Sequence, residues 1–111
     1  MNDQLILRQG EHPVTIVSGD NPYVLICYKS HDEKRTYEEI AVPSGFSLPT
    51  LEDAVMIYIN GRLSKSRCYW VHDDDYDSYS IINGDTGLIM PVEPFQAFNV
   101  VFVRRIPIVE A

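Results

Sequence analysis

The sequence predicts an all-β protein, an antiparallel β-sandwich or small barrel of about eight short strands. Three observations indicate this class. Short apolar and β-branched runs recur at roughly ten-residue spacing, turn-forming residues separate them, and no apolar stripe of helical period extends beyond a turn or two. At 111 residues, with 45% hydrophobic content, the chain has the size and composition of one globular domain. We therefore expect a single domain over residues 1–111.

The first half of the chain is expected to contain four strands. They are placed at residues 4–8, 13–17, 23–28 and 36–42, with turns or the charged loop 29–35 between them. Thr50 to Asp53 has the pattern of a helix N-terminus, in which Thr50 caps the first turn. A strand-like run begins two residues later, so we expect at most one helical turn, near residues 50–54.

The central feature of this prediction is a hairpin whose tight turn is Asn60-Gly61. The preceding run, 55–59, has strong strand preference, and a second strand-like segment lies at 68–71. A two-residue type I′ loop needs positive φ at both central positions, which Asn tolerates and Gly accepts freely. The sequence therefore predicts strand, turn and strand across this region.

The second half continues the same pattern of short strands. They are expected at residues 79–82, 88–90 and 97–103. Pro91 is expected to stop the second of these strands. Residues 106–111 are expected to form an extended C-terminal arm, because Pro107 has no N–H to donate to a sheet ladder.

Charge and composition argue against several kinds of partner. The formal net charge is −7 and the nine Lys and Arg residues are scattered, whereas phosphate contacts need clustered basic residues, so no nucleic-acid partner is expected. No apolar run approaches the ~20 residues of a membrane helix, and the start of the chain lacks signal-peptide features. Synthesis in the cytoplasm is expected. Cys27 and Cys68 lie in apolar runs, where we expect reduced, buried thiols.

An acidic segment at 72–78 is the candidate metal site. Asp73, Asp75 and Asp77 alternate as at the start of a calcium loop. The pattern then fails, because Ser78 stands where the loop requires Gly and Gly84 where it requires Glu. A solvated tip that resists edge-to-edge association is the favoured interpretation, and no cofactor is expected.

The sequence contains no pattern that indicates catalysis. The three histidines fall in separate segments, and no GxSxG, HExxH or Gly-rich phosphate loop occurs, so we expect no enzyme. Aromatic residues near the central hairpin could stack on a sugar, although aromatic pairing within the sheet is the favoured interpretation. These residues are Tyr58, Tyr69, Trp70, Tyr76 and Tyr79.

From Asp53 onward, the order of features resembles a module of tailed-bacteriophage virion proteins, notably tail-fibre, baseplate and head-associated proteins. A β-run leads into Asn60-Gly61, an aromatic strand follows at 68–71, a Gly precedes a short apolar strand at 87–90, and a strand ending in Arg104-Arg105 closes the module. The resemblance covers about half the chain. It implies a β-sandwich scaffold, no catalytic residues, and repeated copies, often trimers, packed in a virion.

On this resemblance we expect a non-enzymatic virion structural protein, such as a capsid decoration, tail, baseplate or fibre-attachment component. Its partners would be itself, as a homotrimer, and other virion proteins. One alternative is a soluble carbohydrate- or peptide-binding β-sandwich module, and another is a small inhibitor.

Subunit contacts are expected where apolar surface exceeds what one interior can hold. The runs 23–28, 55–59 and 97–103 are apolar on both faces, yet one sandwich has one interior. The second face should then be exposed in a monomer, and the C-terminal arm should add to it. The predicted interface residues are Phe98, Val100, Phe102, Ile106, Ile108 and Val109.

Overall fold

The computed structural model describes residues 7–29, 33–72 and 79–108, and these form a mainly β fold. The strands are β1 Glu11–Val17, β2 Tyr23–Lys29, β3 Cys68–Val71, β4 Tyr79–Asn83, β5 Ile89–Val92 and β6 Val101–Pro107; the α-helix is α1 Leu51–Ile59, and a 3-10 turn spans Tyr37–Glu39. All paired strands are antiparallel. The predicted fold class is confirmed, with six strands in the described residues and a longer helix than expected.

Two three-stranded sheets adjoin at the start of β6. Their strand orders are β1-β2-β6 and β3-β4-β5. Asn99 lies just before β6 and pairs with β3, because its N–H donates to Cys68 O at 2.9 Å and its carbonyl accepts from Trp70 N at 3.1 Å. The chain therefore passes from the edge of the second sheet to the edge of the first within a few residues.

Each sheet contributes buried residues from both of its faces. One face of each sheet packs with α1 in a first hydrophobic cluster, whose buried members include Leu25, Val103, Tyr69, Ile82 and Ile57. The other faces form a second cluster around Trp70, Ile81, Val100 and Phe102. Residues 33–50, called here the connection, supply several partly buried apolar side chains to the second cluster. They are Tyr37, Ile40, Phe46 and Leu48.

The predicted strand at 36–42 is wrong, because the connection is irregular apart from its 3-10 turn. Thr36 and Glu39 form a capping box in which Glu39 Oε1 accepts from Thr36 N and Oγ1, both at 2.9 Å. Tyr37 N then donates to Pro94 O at 3.2 Å instead of to a neighbouring strand. The predicted strand at 4–8 lies outside the described residues except for 7 and 8, which are not in a strand.

The predicted strand at 55–59 is also wrong, because residues 51–59 form α1. The predicted cap is present: Asp53 N donates to Thr50 Oγ1 at 3.2 Å, and Thr50 N donates to an Asp53 carboxylate oxygen at 3.1 Å. Burial explains why the helix continues beyond one turn. Ala54 and Ile57 are three residues apart and both face the first cluster, a spacing that places them on one helical face.

Asn60 and Gly61 form a turn, but this turn ends α1 instead of joining two strands. Gly61 has φ +71 and its N–H donates to Tyr58 O at 3.0 Å, while Arg62 N donates to Ile57 O at 3.0 Å. This pair of hydrogen bonds is the Schellman motif that commonly closes helices. Asn60 has φ −85, so only one of the two residues takes the left-handed conformation.

The C-terminal residues belong to the first sheet as far as Pro107. Ile106 pairs with Val24 and Pro107 with Tyr23, and Ile108 N donates to Pro22 O at 3.0 Å. Residues 106–108 are therefore not an unpaired arm, and Val109 lies outside the described residues. Pro91 likewise lies inside β5, which is an edge strand, where proline is tolerated.

Replacing Gly61 by Val should lower the free energy of unfolding by more than about 1 kcal/mol, because a β-branched residue is strained at positive φ. Gly61→Asn is the matched control and should cost less, since Asn also closes helices in this conformation. Urea denaturation measures both differences. Equal midpoints for the wild type and the valine variant would contradict the Schellman assignment.

Candidate functional site

The predicted interface face around β6 is largely buried within the chain itself. Val100 and Phe102 are 3% and 4% exposed, and Phe98 packs edge-on against Trp70 with ring centroids 5.2 Å apart. The opposite face of β6 is buried as well, as Val103 in the first cluster shows. The prediction that one face of this run is exposed is therefore wrong. Its physical reason is the connection, which covers the second face.

A cavity remains where the connection bows away from the residues that it covers. The connection pairs with the run into β6 at two places, Arg35 with Phe98 and Ser47 with Val103. Arg35 and Ser47 are twelve positions apart along the connection, whereas their partners Phe98 and Val103 are only five apart. The connection must therefore curve outward between the two pairs. The gap is a cavity of about 220 Å³. It is lined by Glu33, Arg35, Glu39, Ile40, Ala41, Val100 and Phe102.

The rim of this cavity is held in place and carries more negative than positive charge. Arg35 N donates to Phe98 O at 2.8 Å, and Arg35 O accepts from Trp70 Nε1 at 2.7 Å. The Arg35 guanidinium pairs with Glu33. Hydrogen bonds from the Thr36 backbone and then its hydroxyl lower the pKa of Glu39. Two carboxylates thus accompany one guanidinium above an apolar floor.

The outer face of α1 is the second candidate surface. Val55 and Ile59 are four residues apart, so they share a side of the helix, and they are 39% and 72% exposed. Leu51, Glu52, Val55 and Met56 line a shallow hollow there. From the sequence, residues 55–59 are among the runs expected to expose apolar surface, but they are expected to form a strand and none of them is a predicted interface residue. The only signal for this surface in the sequence is that residues 55–59 are apolar or aromatic at every position.

The buried carboxylate of Glu11 is paired with Arg104. Arg104 Nη2 donates to Glu11 Oε1 at 2.9 Å and Nε donates to Oε2, while Arg8 N donates to Oε1 at 2.6 Å. The Arg104 hydrogen bonds are the main cause of a lowered pKa for Glu11, against an opposing effect of burial. The carboxylate is therefore occupied by a structural partner.

The buried carboxylate of Asp53 is paired with Arg105. Arg105 Nη2 donates to Asp53 Oδ2, the same oxygen that accepts from Thr50 N, and the guanidinium lies 5.5 Å from the centre of the Tyr23 ring. Arg104 and Arg105 are adjacent in β6, so they point to opposite faces of the sheet. Each thus reaches a different buried carboxylate, a pairing that the adjacent arginines alone did not indicate.

The remaining candidates from the sequence are the aromatic residues, the two cysteines and the acidic segment. Tyr69 and Trp70 are buried, so they cannot form a sugar-stacking platform. Cys27 is buried as expected, whereas Cys68 is only partly buried; both are free, and burial raises the pKa of both thiols. Asp73, Asp75, Asp77 and Tyr76 lie outside the described residues.

Two of the predicted interface residues near the chain end, Ile106 and Ile108, lie in the described part of the chain. Ile106 is half-buried in β6 and Ile108 is 37% exposed.

Over residues 7–29, 33–72 and 79–108, no group of three metal-ligating side chains occurs. Within the same ranges, no helix is long and apolar enough to cross a membrane.

Replacing Asp53 by Ala should lower the free energy of unfolding by about 2–4 kcal/mol, because it removes the acceptor of Thr50 N in the capping box and leaves Arg105 without its carboxylate. Glu52→Ala is the matched control: this exposed neighbour also lies in the first turn, and its loss should change stability by no more than about 0.5 kcal/mol. Thermal and urea unfolding measure both. Similar losses for the two variants would contradict the role assigned to Asp53.

Replacing Glu11 by Gln should destabilise the protein near pH 7 by about 1–2 kcal/mol, because a charge-assisted pair is lost. A carboxylate whose folded pKa is lowered stabilises the fold above its unfolded pKa, and this contribution disappears as the pH falls through the folded pKa. The difference in free energy of unfolding between wild type and variant should therefore become smaller as the pH falls below 4.5, the ordinary pKa of this carboxyl group. Urea titrations at several pH values test this, and a gap independent of pH would contradict it.

Among the described residues, the cavity beneath the connection and the outer face of α1 are candidate partner sites. Comparisons of the chain with protein families, with curated protein sequences and with solved structures gave no match.

Proposed function

We propose that this chain is a non-enzymatic structural protein of a tailed-bacteriophage virion, and that it works by binding copies of itself and other virion proteins. The observation that carries the proposal is the exposed apolar face of α1. A helical segment without charged residues, as 54–59 of α1 is, is normally buried on all sides. In the described residues, α1 is covered on the side of Ala54 and Ile57 and open on the side of Val55 and Ile59.

The energetics favour a protein partner for this face. Burying a side chain the size of Val or Ile contributes about 1.5–3 kcal/mol relative to full exposure. Because Ile59 is 72% exposed, a partner that covered it would recover much of that amount. Covering Val55 and Met56 as well would create a small contact core of the kind that dominates interface energies.

The ion pairs made by the buried carboxylates support a structural role. Glu11 and Asp53 are the buried carboxylates of the described chain, and arginines of β6 bind both. An acid or base catalyst needs a carboxylate that is free to exchange a proton with a substrate. These two groups instead tie β1 and α1 to β6.

The virion setting rests on the sequence resemblance, most of whose elements are strands here. The aromatic strand is β3, the short apolar strand is β5, and the strand that contains Arg104 and Arg105 is β6. The leading β-run is the exception, since it is α1. In a trimer of the kind that the resemblance implies, we expect α1 to make the subunit contacts that the sequence assigned to Phe98, Val100 and Phe102.

The alternative of a peptide-binding module is favoured by one observation, the cavity above Val100 and Phe102. Its carbohydrate-binding form loses two of the five aromatic residues of its platform, because Tyr69 and Trp70 are buried. A strictly monomeric protein that is missing from purified virions and captures an extended peptide would favour this alternative.

Replacing Ile59 by Lys should weaken self-association about tenfold or more, because it places a charge at the most exposed apolar side chain on the outer face of α1. Ile16→Lys is the matched control: Ile16 is 62% exposed, lies on β1, and receives the same change of charge. Sedimentation across a range of concentrations measures both, and mass spectrometry of purified phage particles tests virion membership. A monomeric wild type that is missing from particles would overturn the proposal.

A further inference from the structure

The cavity beneath the connection has a shape that the fold itself imposes. Its two ends are fixed by the backbone pairs Arg35–Phe98 and Ser47–Val103, in which each residue both donates and accepts. Between these anchors the 3-10 turn is held by Tyr37 N to Pro94 O. The opening is therefore a preformed feature and needs no rearrangement to accept a ligand. Preorganisation of this kind removes part of the cost of binding.

Its lining divides into an apolar floor and a charged rim. Val100 and Phe102 form the floor, and Ile40 and Ala41 form one wall. At the rim the Glu33 carboxylate is engaged by Arg35. The rim therefore keeps one net negative charge, that of Glu39.

The Glu39 carboxylate has one oxygen suited to a ligand. Within the described residues, both of its hydrogen bonds use Oε1, which accepts from Thr36 N and Thr36 Oγ1. These bonds orient the carboxylate and lower its pKa, which keeps it charged. Oε2 is then the atom that can accept from a cation, and charge-assisted hydrogen bonds are stronger than neutral ones.

We propose that this cavity binds an arginine side chain of an assembly partner, with the guanidinium at Glu39 and the aliphatic stem on Val100 and Phe102. A guanidinium is weakly hydrated and presents its donors in a planar fork, so it enters a narrow, partly apolar site more readily than an ammonium does. The net charge of −7 favours a basic partner segment. In naming an assembly partner, the inference rests on the function proposed above. The cavity chemistry can be tested without that function.

The test is a titration of the labelled protein with N-acetyl-arginine-N-methylamide, followed by proton–nitrogen correlation spectra. The matched control compound is N-acetyl-citrulline-N-methylamide, which has the same shape and a neutral urea in place of the guanidinium. We expect millimolar binding of the arginine compound, with shifts at Ile40, Ala41, Val100 and Phe102. The citrulline compound should bind about fivefold or more weakly. Equal binding of the two, or shifts centred elsewhere, would overturn the proposal.

A pair of variants assigns the charge to one residue. Glu39→Gln should weaken binding of the arginine compound about threefold to tenfold and leave the fold intact, because Gln also completes a capping box. Glu38→Gln removes the neighbouring exposed carboxylate, which does not line the cavity, and should leave the affinity unchanged. Equal effects of the two would show a non-specific charge effect and overturn the assignment.

A third variant fills the cavity, and the results separate this inference from the proposed function. Ala41→Phe places a ring in the opening at an exposed position and should abolish the shifts while the remaining spectrum is preserved. Arginine-specific binding by a chain that is missing from virions would support the cavity assignment and remove the virion function. If the chain is present in virions but shows no arginine-specific shifts, the virion function is supported and the cavity assignment is overturned.

Discussion

The carboxylate of Asp53 is the group that joins the start of α1 to the first sheet. It accepts from Thr50 N while the Asp53 backbone N–H donates to Thr50 Oγ1, which begins α1, and it fixes α1 to β6 through Arg105. A buried carboxylate costs several kcal/mol of desolvation, so it is stable only when such bonds are complete. With α1 held at its N-terminus, Ala54 and Ile57 face the first cluster, and the outer face of the helix follows from that orientation.

The connection imposes the second constraint, and it changes how the apolar runs of this sequence should be interpreted. A run that is apolar on both faces indicated surplus surface for a subunit contact. In the structure, residues of the connection such as Tyr37 and Phe46 cover the second face, so both faces are interior at the start of β6. A long segment without strands can thus close a hydrophobic cluster. Because it is anchored at only a few points, it also leaves the cavity.

Local pattern was enough to predict much of the β structure and the start of the helix, but not what depends on distant contacts. The strands β1 to β4 were predicted from short apolar runs between turn-forming residues, and the Thr50 cap from the pattern of Thr50 and Asp53. The run 55–59 has strand propensity, and its helix is fixed by burial of Ile57 and by a pairing between residues 52 positions apart. The cavity depends on bridges such as Arg35 with Phe98, which no local pattern encodes.

The distribution of charge gives the two candidate surfaces different roles. The internal pairs Glu11–Arg104 and Asp53–Arg105 are neutral, so the formal charge of −7 belongs to the rest of the chain. Such a charge keeps free copies apart and attracts basic segments over a distance, which affects association rate and orientation more than final affinity. Apolar burial at the outer face of α1 must then supply the affinity. A cation held at Glu39 would offset part of the repulsion that this burial has to overcome.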